Sequence, residues 1–162
     1  MTALRWLVRI VLGVAALVGA VFFGARFLDG PLGPIPGGAL DAGVMASGTV
    51  TDWSFATDVQ EIALQLEAQS RSRTTWILVH EGKAYIPAST EFPPGKSWHR
   101  LALEDGRATL RIDDKRYRVT LTKVEDAAVA SAVREVASRK YPSRPPGDAW
   151  LFQVTSRSGD GS

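Results

Sequence analysis

The 162-residue chain contains no cysteine. That absence excludes a disulfide framework, a thiol nucleophile and any zinc or iron–sulfur site built on thiolates. Histidine is almost missing too, with only His80 and His99. Two imidazoles cannot make a three-His metal site, and their spacing fits no helical zinc motif. We expect both as partly exposed polar residues. A stripe of one charge sign is also lacking. The 19 basic and 17 acidic side chains are interleaved, as in "RIDDKRYRVTLTKVED" over 111–126. Nucleic-acid binding needs clustered positive charge to release counterions, so no nucleic-acid partner is expected.

Nucleotide hydrolysis is excluded by a second shortage. "FPPGKSWHR", 92–100, carries Gly95-Lys96-Ser97, the end of a P-loop. A P-loop needs another Gly five residues earlier, and Thr90 stands there. Pro93 and Pro94 also remove N–H donors that the loop would have to supply. A Ser97/His99/Asp105 triad fails because residues two apart on a helix do not face each other. No nucleophile elbow is present. Asp113-Asp114 reads as turn chemistry, with too few oxygen ligands nearby for calcium. No catalytic and no metal-ligating residue is assigned.

What the chain does have is one long apolar run. Residues 10–25, "IVLGVAALVGAVFFGA", carry no charge, and Leu4–Val8 and Phe27-Leu28 extend the stretch. Roughly 25 residues at about 1.5 Å each can cross a hydrocarbon core of about 30 Å. Arg5, Arg9 and Arg26 can snorkel to the headgroups, and Trp6 and Phe27 suit the interfaces. We expect a single transmembrane anchor over 1–28, reaching the lipid bilayer through residues 4–28. Arg5 and Arg9 precede the run while Asp29 offsets Arg26, so the N-terminus belongs inside and the rest outside. The competing interpretation is a signal peptide cleaved after Val18-Gly19-Ala20, although Val21-Phe22-Phe23 continues the run past that point.

Residues 29–48 hold six Gly and three Pro. Such a stretch resists regular structure and reads as a membrane-to-domain linker. Its alternative is a segment packed along the domain, anchored by Leu32, Ile35 and Leu40. The domain itself spans 49–157, with 158–162 a flexible tail. Its pattern is mostly β. "VQEIALQLE", 59–67, alternates in either register. "TTWILVH", 74–80, and "KAYIPAS", 83–89, form a hairpin about Glu81-Gly82. "RATLRID", 107–113, and "KRYRVTLTKVE", 115–125, form a second about Asp113-Asp114, with Tyr117, Val119 and Leu121 on one face. "AWLFQVT", 149–155, is the last strand. A short helix over 97–105 takes Ser97 as N-cap. A longer one over 126–141 takes Asp126, with Val129, Val133, Val136 and Ala137 on one face. Six or so strands with one short and one longer helix predict an α+β fold, a small antiparallel barrel.

Three pieces of this pattern carry a resemblance: Arg71-Ser72-Arg73 in a turn, Lys96 with Trp98 opening the short helix, and "RATLRIDDKRYRV" after it. Over residues 59–156 the chain resembles the split β-barrel proteins of the pyridoxamine-phosphate-oxidase-like superfamily. The likeness is above all to the deazaflavin-dependent nitroreductase branch and to uncharacterised bacterial members. The resemblance implies an FMN or deazaflavin cofactor with Arg71, Arg73, Lys96, Ser97 and Trp98 as its contacts. Two positions depart from the family pattern. Arg73 replaces the turn Gly that lets backbone approach a phosphate, and Leu101 replaces an Asn three residues after the Trp. A structural role is the alternative for each contact, with Trp98 in the core and Ser97 a simple cap.

Two functions follow as expectations. The first is a membrane-anchored binding or accessory protein on the outer face of a bacterial cytoplasmic membrane, acting as a homodimer or with a membrane-complex partner. The second is a flavin- or deazaflavin-dependent oxidoreductase, the cofactor supplying the hydride chemistry.

Overall fold

In the computed structural model, residues 2–90, 97–143 and 149–158 are described. The barrel is built from two tight hairpins. In one, β4 (Leu78–His80) turns into β5 (Lys83–Ala88) with His80 opposite Lys83. Glu81 and Gly82 both take left-handed φ, 50° and 70°. That is the turn geometry whose twist matches the flanking strands. In the other, β6 (Arg107–Ile112) meets β7 (Lys115–Lys123) with Ile112 opposite Lys115. Alternation decides which side chains go inward. Ala108, Leu110 and Ile112 on β6 and Tyr117, Val119 and Leu121 on β7 are buried. Ile62, Leu64 and Leu66 on β2 (Glu61–Leu66) settle that strand's register. They pack with Trp53, Ile86, Trp98 and Phe152 in one core.

With β3 (Ser72–Trp76) and β8 (Trp150–Ser156), the antiparallel order is β3-β2-β6-β7-β8-β5-β4. Here the sequence-based expectation needs correction. Residues 74–80 do not form one strand of the first hairpin. The run bends at Ile77, so β3 pairs with β2 while β4 pairs with β5. The two ends of the sheet are therefore consecutive pieces of one chain segment, which curls the sheet toward a barrel.

The helix α3 (Ala127–Lys140) fastens that bend. Asp126 caps it, accepting from the Ala128 and Val129 amides at 2.8 and 3.2 Å. Val133 and Ala137 face Leu78, Tyr85 and Leu151 in a second, smaller core. At its far end Lys140 Nζ donates to the Val59 and Ile77 carbonyls at 2.6 and 3.0 Å. The Tyr141 ring stacks on Trp76 at 4.2 Å, and its hydroxyl donates to the Gln60 carbonyl. Burial pushes the Tyr141 phenol up to about 12 and lowers the Lys140 ammonium.

The short helix α2 (Trp98–Glu104) buries Trp98, His99 and Ala102. Two expectations fail here. His99 is 2% exposed, because the helix turns that face into the barrel. Ser97 holds the N-cap position but makes no side-chain cap bond. Its φ and ψ of −126° and −7° lie outside the extended region that aims a capping hydroxyl at the helix amides.

Residues 29–48 lie along the sheet. Gly37 N–H donates to the Ser72 carbonyl at 3.1 Å, and Ser72 N–H to the Gly38 carbonyl at 3.0 Å. Leu40 is 3% exposed, and its N–H donates to Gln65 Oε1 at 2.7 Å. A two-residue strand β1 (Val44–Met45) runs parallel to β7, a pairing not foreseen from sequence. Asp29 pairs with Arg111 and accepts from the Asp41 and Ala42 amides at 2.6 and 2.9 Å. The glycines serve close approach. A Cβ on Gly38 would sit 2.5 Å from the Arg26 carbonyl oxygen and 2.7 Å from that of Leu28.

The apolar helix α1 (Thr2–Gly24) leads into this layer. It ends in a 3-10 turn, Ala25–Phe27, in which Ala25 is buried. Gly38 N–H then donates to the Leu28 carbonyl at 3.0 Å. No free spacer separates the helix from the barrel. Gly38→Ala is expected to release this layer, since backbone atoms cannot retreat, at a cost of roughly 1–3 kcal/mol. Limited proteolysis should then cut within residues 29–48 while the barrel stays intact. Unchanged resistance would mean the segment is not held by this contact.

Candidate functional site

Of the three residues expected in a turn, only Arg71 lies before β3; Ser72 and Arg73 are the strand's first two residues, paired with Gln65 and Leu64 of β2, and α2 delivers Trp98 behind them. The structure brings Arg73 and Trp98 together, with the guanidinium carbon 5.5 Å from the ring centroid. Trp98 is a core residue, 2% exposed, with its ring 5.7 Å from that of Phe152. Arg73 also donates to Gln69 Oε1. Burial, and then the neighbouring Arg71, lower the Arg73 guanidinium to about 10. It remains a cation at neutral pH, held without a carboxylate partner among the described residues. Arg71 donates to the Pro36 carbonyl at 3.1 Å. Ser97 is exposed at the start of α2, and Lys96 lies outside the described residues.

A flavin or deazaflavin phosphate at this turn would need its N–H and O–H donors. Those of Ser72 are already spent, and so is one nitrogen of Arg71. Ser72 gives both its amide and its hydroxyl to the Gly38 carbonyl, the latter at 2.6 Å. Arg71 is turned to Pro36. The docked segment 36–38 thus uses the donors that a phosphate would take. At Arg73 a Cβ and a long side chain stand where the family pattern has Gly. The turn does not fit the phosphate as it stands, although the Nε atoms of Arg71 and Arg73 are buried without a hydrogen-bond partner.

Sequence reading passed over a different basic feature. Arg107, Arg116, Arg118 and Arg157 line a cavity of about 450 Å3 on the outer face of the sheet. Two acids, Asp41 and Glu67, share its walls with Leu40, Met45, Gln65 and Thr109. Arg107 pairs with Asp105 at 2.7 Å, and Arg157 with Glu67. Arg116 donates to the Leu40 carbonyl at 2.8 Å. The Arg118 side chain has no hydrogen bond or ion pair among the described residues. The alternation that buried Tyr117 and Val119 also set Arg116 and Arg118 outward. The sequence therefore carried the signal, but the acids interleaved with it masked a patch formed across strands.

This geometry defines the class: an α+β split β-barrel with its N-terminal layer docked on the sheet. Solved structures agree. A structure named for general stress protein 26 from Jannaschia sp. CCS1 superposes with a TM-score of 0.50 at 14% identity, covering 68% of this chain and 77% of that one. One named for pyridoxamine 5'-phosphate oxidase from Listeria innocua gives 0.46 at 15% identity, covering 61% and 85%. A NimC/NimA family protein from Clostridium acetobutylicum gives 0.41 at 14%, covering 59% and 70%. No family model and no curated protein matches the sequence. The first of these structures, at a TM-score of 0.50, supports the split-barrel fold, and at 14% identity the likeness extends to fold alone.

The site yields a test of Arg73. A half-buried cation without a carboxylate costs stability, and an apolar replacement of similar length removes that cost. Arg73→Met is expected to unfold at the same or higher denaturant concentration, by up to about 3 kcal/mol. A loss above about 1 kcal/mol would instead show that stacking on Trp98 outweighs the cost of burying the charge.

Proposed function

We propose that this chain is a membrane-anchored binding or accessory protein whose barrel rides directly on the lipid surface. The observation that supports it is α1. The apolar core of this 23-residue helix is unburied, with Leu4 68% and Leu17 66% exposed. Apolar area left in water costs about 25 cal/mol per Å2, and a bilayer removes that cost. At about 1.5 Å per residue the helix is roughly 35 Å long, enough to span. Arg5 and Arg9 at its start favour an inside N-terminus and a barrel on the outer face. Cleavage after Ala20 would leave Val21-Phe22-Phe23 as an apolar N-terminus, which favours retention. The arginine-lined cavity, with Arg118 uncommitted, is the face that an acidic partner surface would meet.

The second function, a flavin- or deazaflavin-dependent oxidoreductase, rests on the fold and the sequence resemblance. The spent donors at Ser72 weigh against it. The purified chain is expected to be colourless and to leave added FMN fluorescence unchanged. A stoichiometric bound chromophore would reverse the ranking.

Membrane insertion is tested with two charges placed in the helix centre. Leu12→Arg with Leu17→Arg costs about 5 kcal/mol or more in a bilayer. The unaltered chain should stay in the membrane pellet after alkaline extraction, and the double variant should move to the supernatant with its barrel folded. Extraction of the unaltered chain itself would overturn the anchor.

A further inference from the structure

We infer that the junction between α1 and the barrel is a site for one anionic membrane phospholipid. This rests on α1 being inserted. A cleft of about 320 Å3 opens there, lined by Gly19, Phe22 and Phe23 on the helix, Arg26 beyond it, and Arg71 from the barrel. One side is apolar and the other carries two guanidiniums. That is the division of a phospholipid, with acyl chain on one side and phosphate on the other.

Depth places the two halves correctly. The apolar run ends at Ala25, so Phe22 and Phe23 lie at the edge of the hydrocarbon and Arg26 at the headgroups. Arg71 reaches the same level because the docked segment leaves no spacer between helix and barrel. Both cations are short of anions. Arg26 is exposed, with no ion pair or side-chain hydrogen bond among the described residues. Asp29, three residues on, is committed to Arg111 and to the Asp41 and Ala42 amides. Arg71 spends one nitrogen on the Pro36 carbonyl, and no ion pair engages it among the described residues. Two arginines lining one cleft supply the charge and N–H donors that a phosphodiester accepts. Of the three residues Arg71, Ser72 and Arg73, Arg71 alone thus meets a phosphate, that of a lipid.

The test uses the full chain in vesicles of phosphatidylcholine with or without phosphatidylglycerol. Lipid retained after exchange into neutral detergent is counted by native mass spectrometry. One phosphatidylglycerol per chain is expected. Arg26→Gln and Arg71→Gln should each weaken its retention about fivefold, and Arg134→Gln on the exposed face of α3 should not. Arg71→Lys separates a site from diffuse attraction, since it keeps the charge and loses the fork. Retention should fall in that variant too. The Arg26 side chain makes no hydrogen bond or ion pair among the described residues, so its variant reads binding alone. Equal retention in all variants would overturn the site. So would displacement of the lipid by millimolar inorganic phosphate, which would make it an ion site. A chain that enters both kinds of vesicle but retains no lipid fails this inference only. A chain that enters neither fails the anchor itself.

Discussion

Ser72 holds the molecule's layers together. Its amide and hydroxyl both bind the Gly38 carbonyl, and its own carbonyl receives the Gly37 amide. Because Ser72 is fully buried at the start of β3, these bonds are shielded from water, and leaving any of them unmade would be expensive. They dock residues 29–48 onto the sheet, and everything upstream inherits that position. Gly38 in turn holds Leu28, and Leu28 follows the last turn of the apolar helix. The orientation of α1 relative to the barrel is therefore set by packing, where a free linker would have left it open.

The same contact decides how the basic turn is used. A segment carrying Arg71, Ser72 and Arg73 has the chemistry to hold a phosphate. Here the chain's own backbone takes the serine, Trp98 faces one arginine, and the other arginine turns toward Pro36 and the junction cleft. One short segment of backbone thus takes the serine donors that a cofactor-type turn would offer. The barrel supplies the scaffold, and the N-terminal layer supplies the difference.

Much of the barrel was legible in the sequence. Strict alternation in 107–123, the two-residue turns at 81–82 and 113–114, and the Asp126 cap each encode their structure locally. What escaped was encoded elsewhere. The bend at Ile77 depends on Lys140 and Tyr141, more than sixty residues away, so "TTWILVH" alone reads as one strand. The docking of 29–48 was foreseen only as the alternative to a linker; Leu40 is buried as that alternative had it, Leu32 is exposed, and the bonds that fix the segment run mainly through backbone groups, which leave no side-chain pattern. Within the candidate site, the pairing of Arg73 with Trp98 was anticipated as shared cofactor contacts and found as a cation stacked on a core ring. Lys96 lies outside the described residues. The outward arginines on β7 escaped notice because their neighbours across strands cannot be read along the chain.

The most direct measurement is hydrogen exchange of the backbone amides of residues 37–46 in the full-length chain in lipid. If the layer is docked, the Gly37, Gly38, Leu40, Val44 and Ala46 amides, each hydrogen-bonded here, will exchange slowly, within the range of the β7 amides. Exchange at the rate of an unstructured peptide would contradict the account, leaving the barrel on a free tether and the junction cleft without a fixed shape.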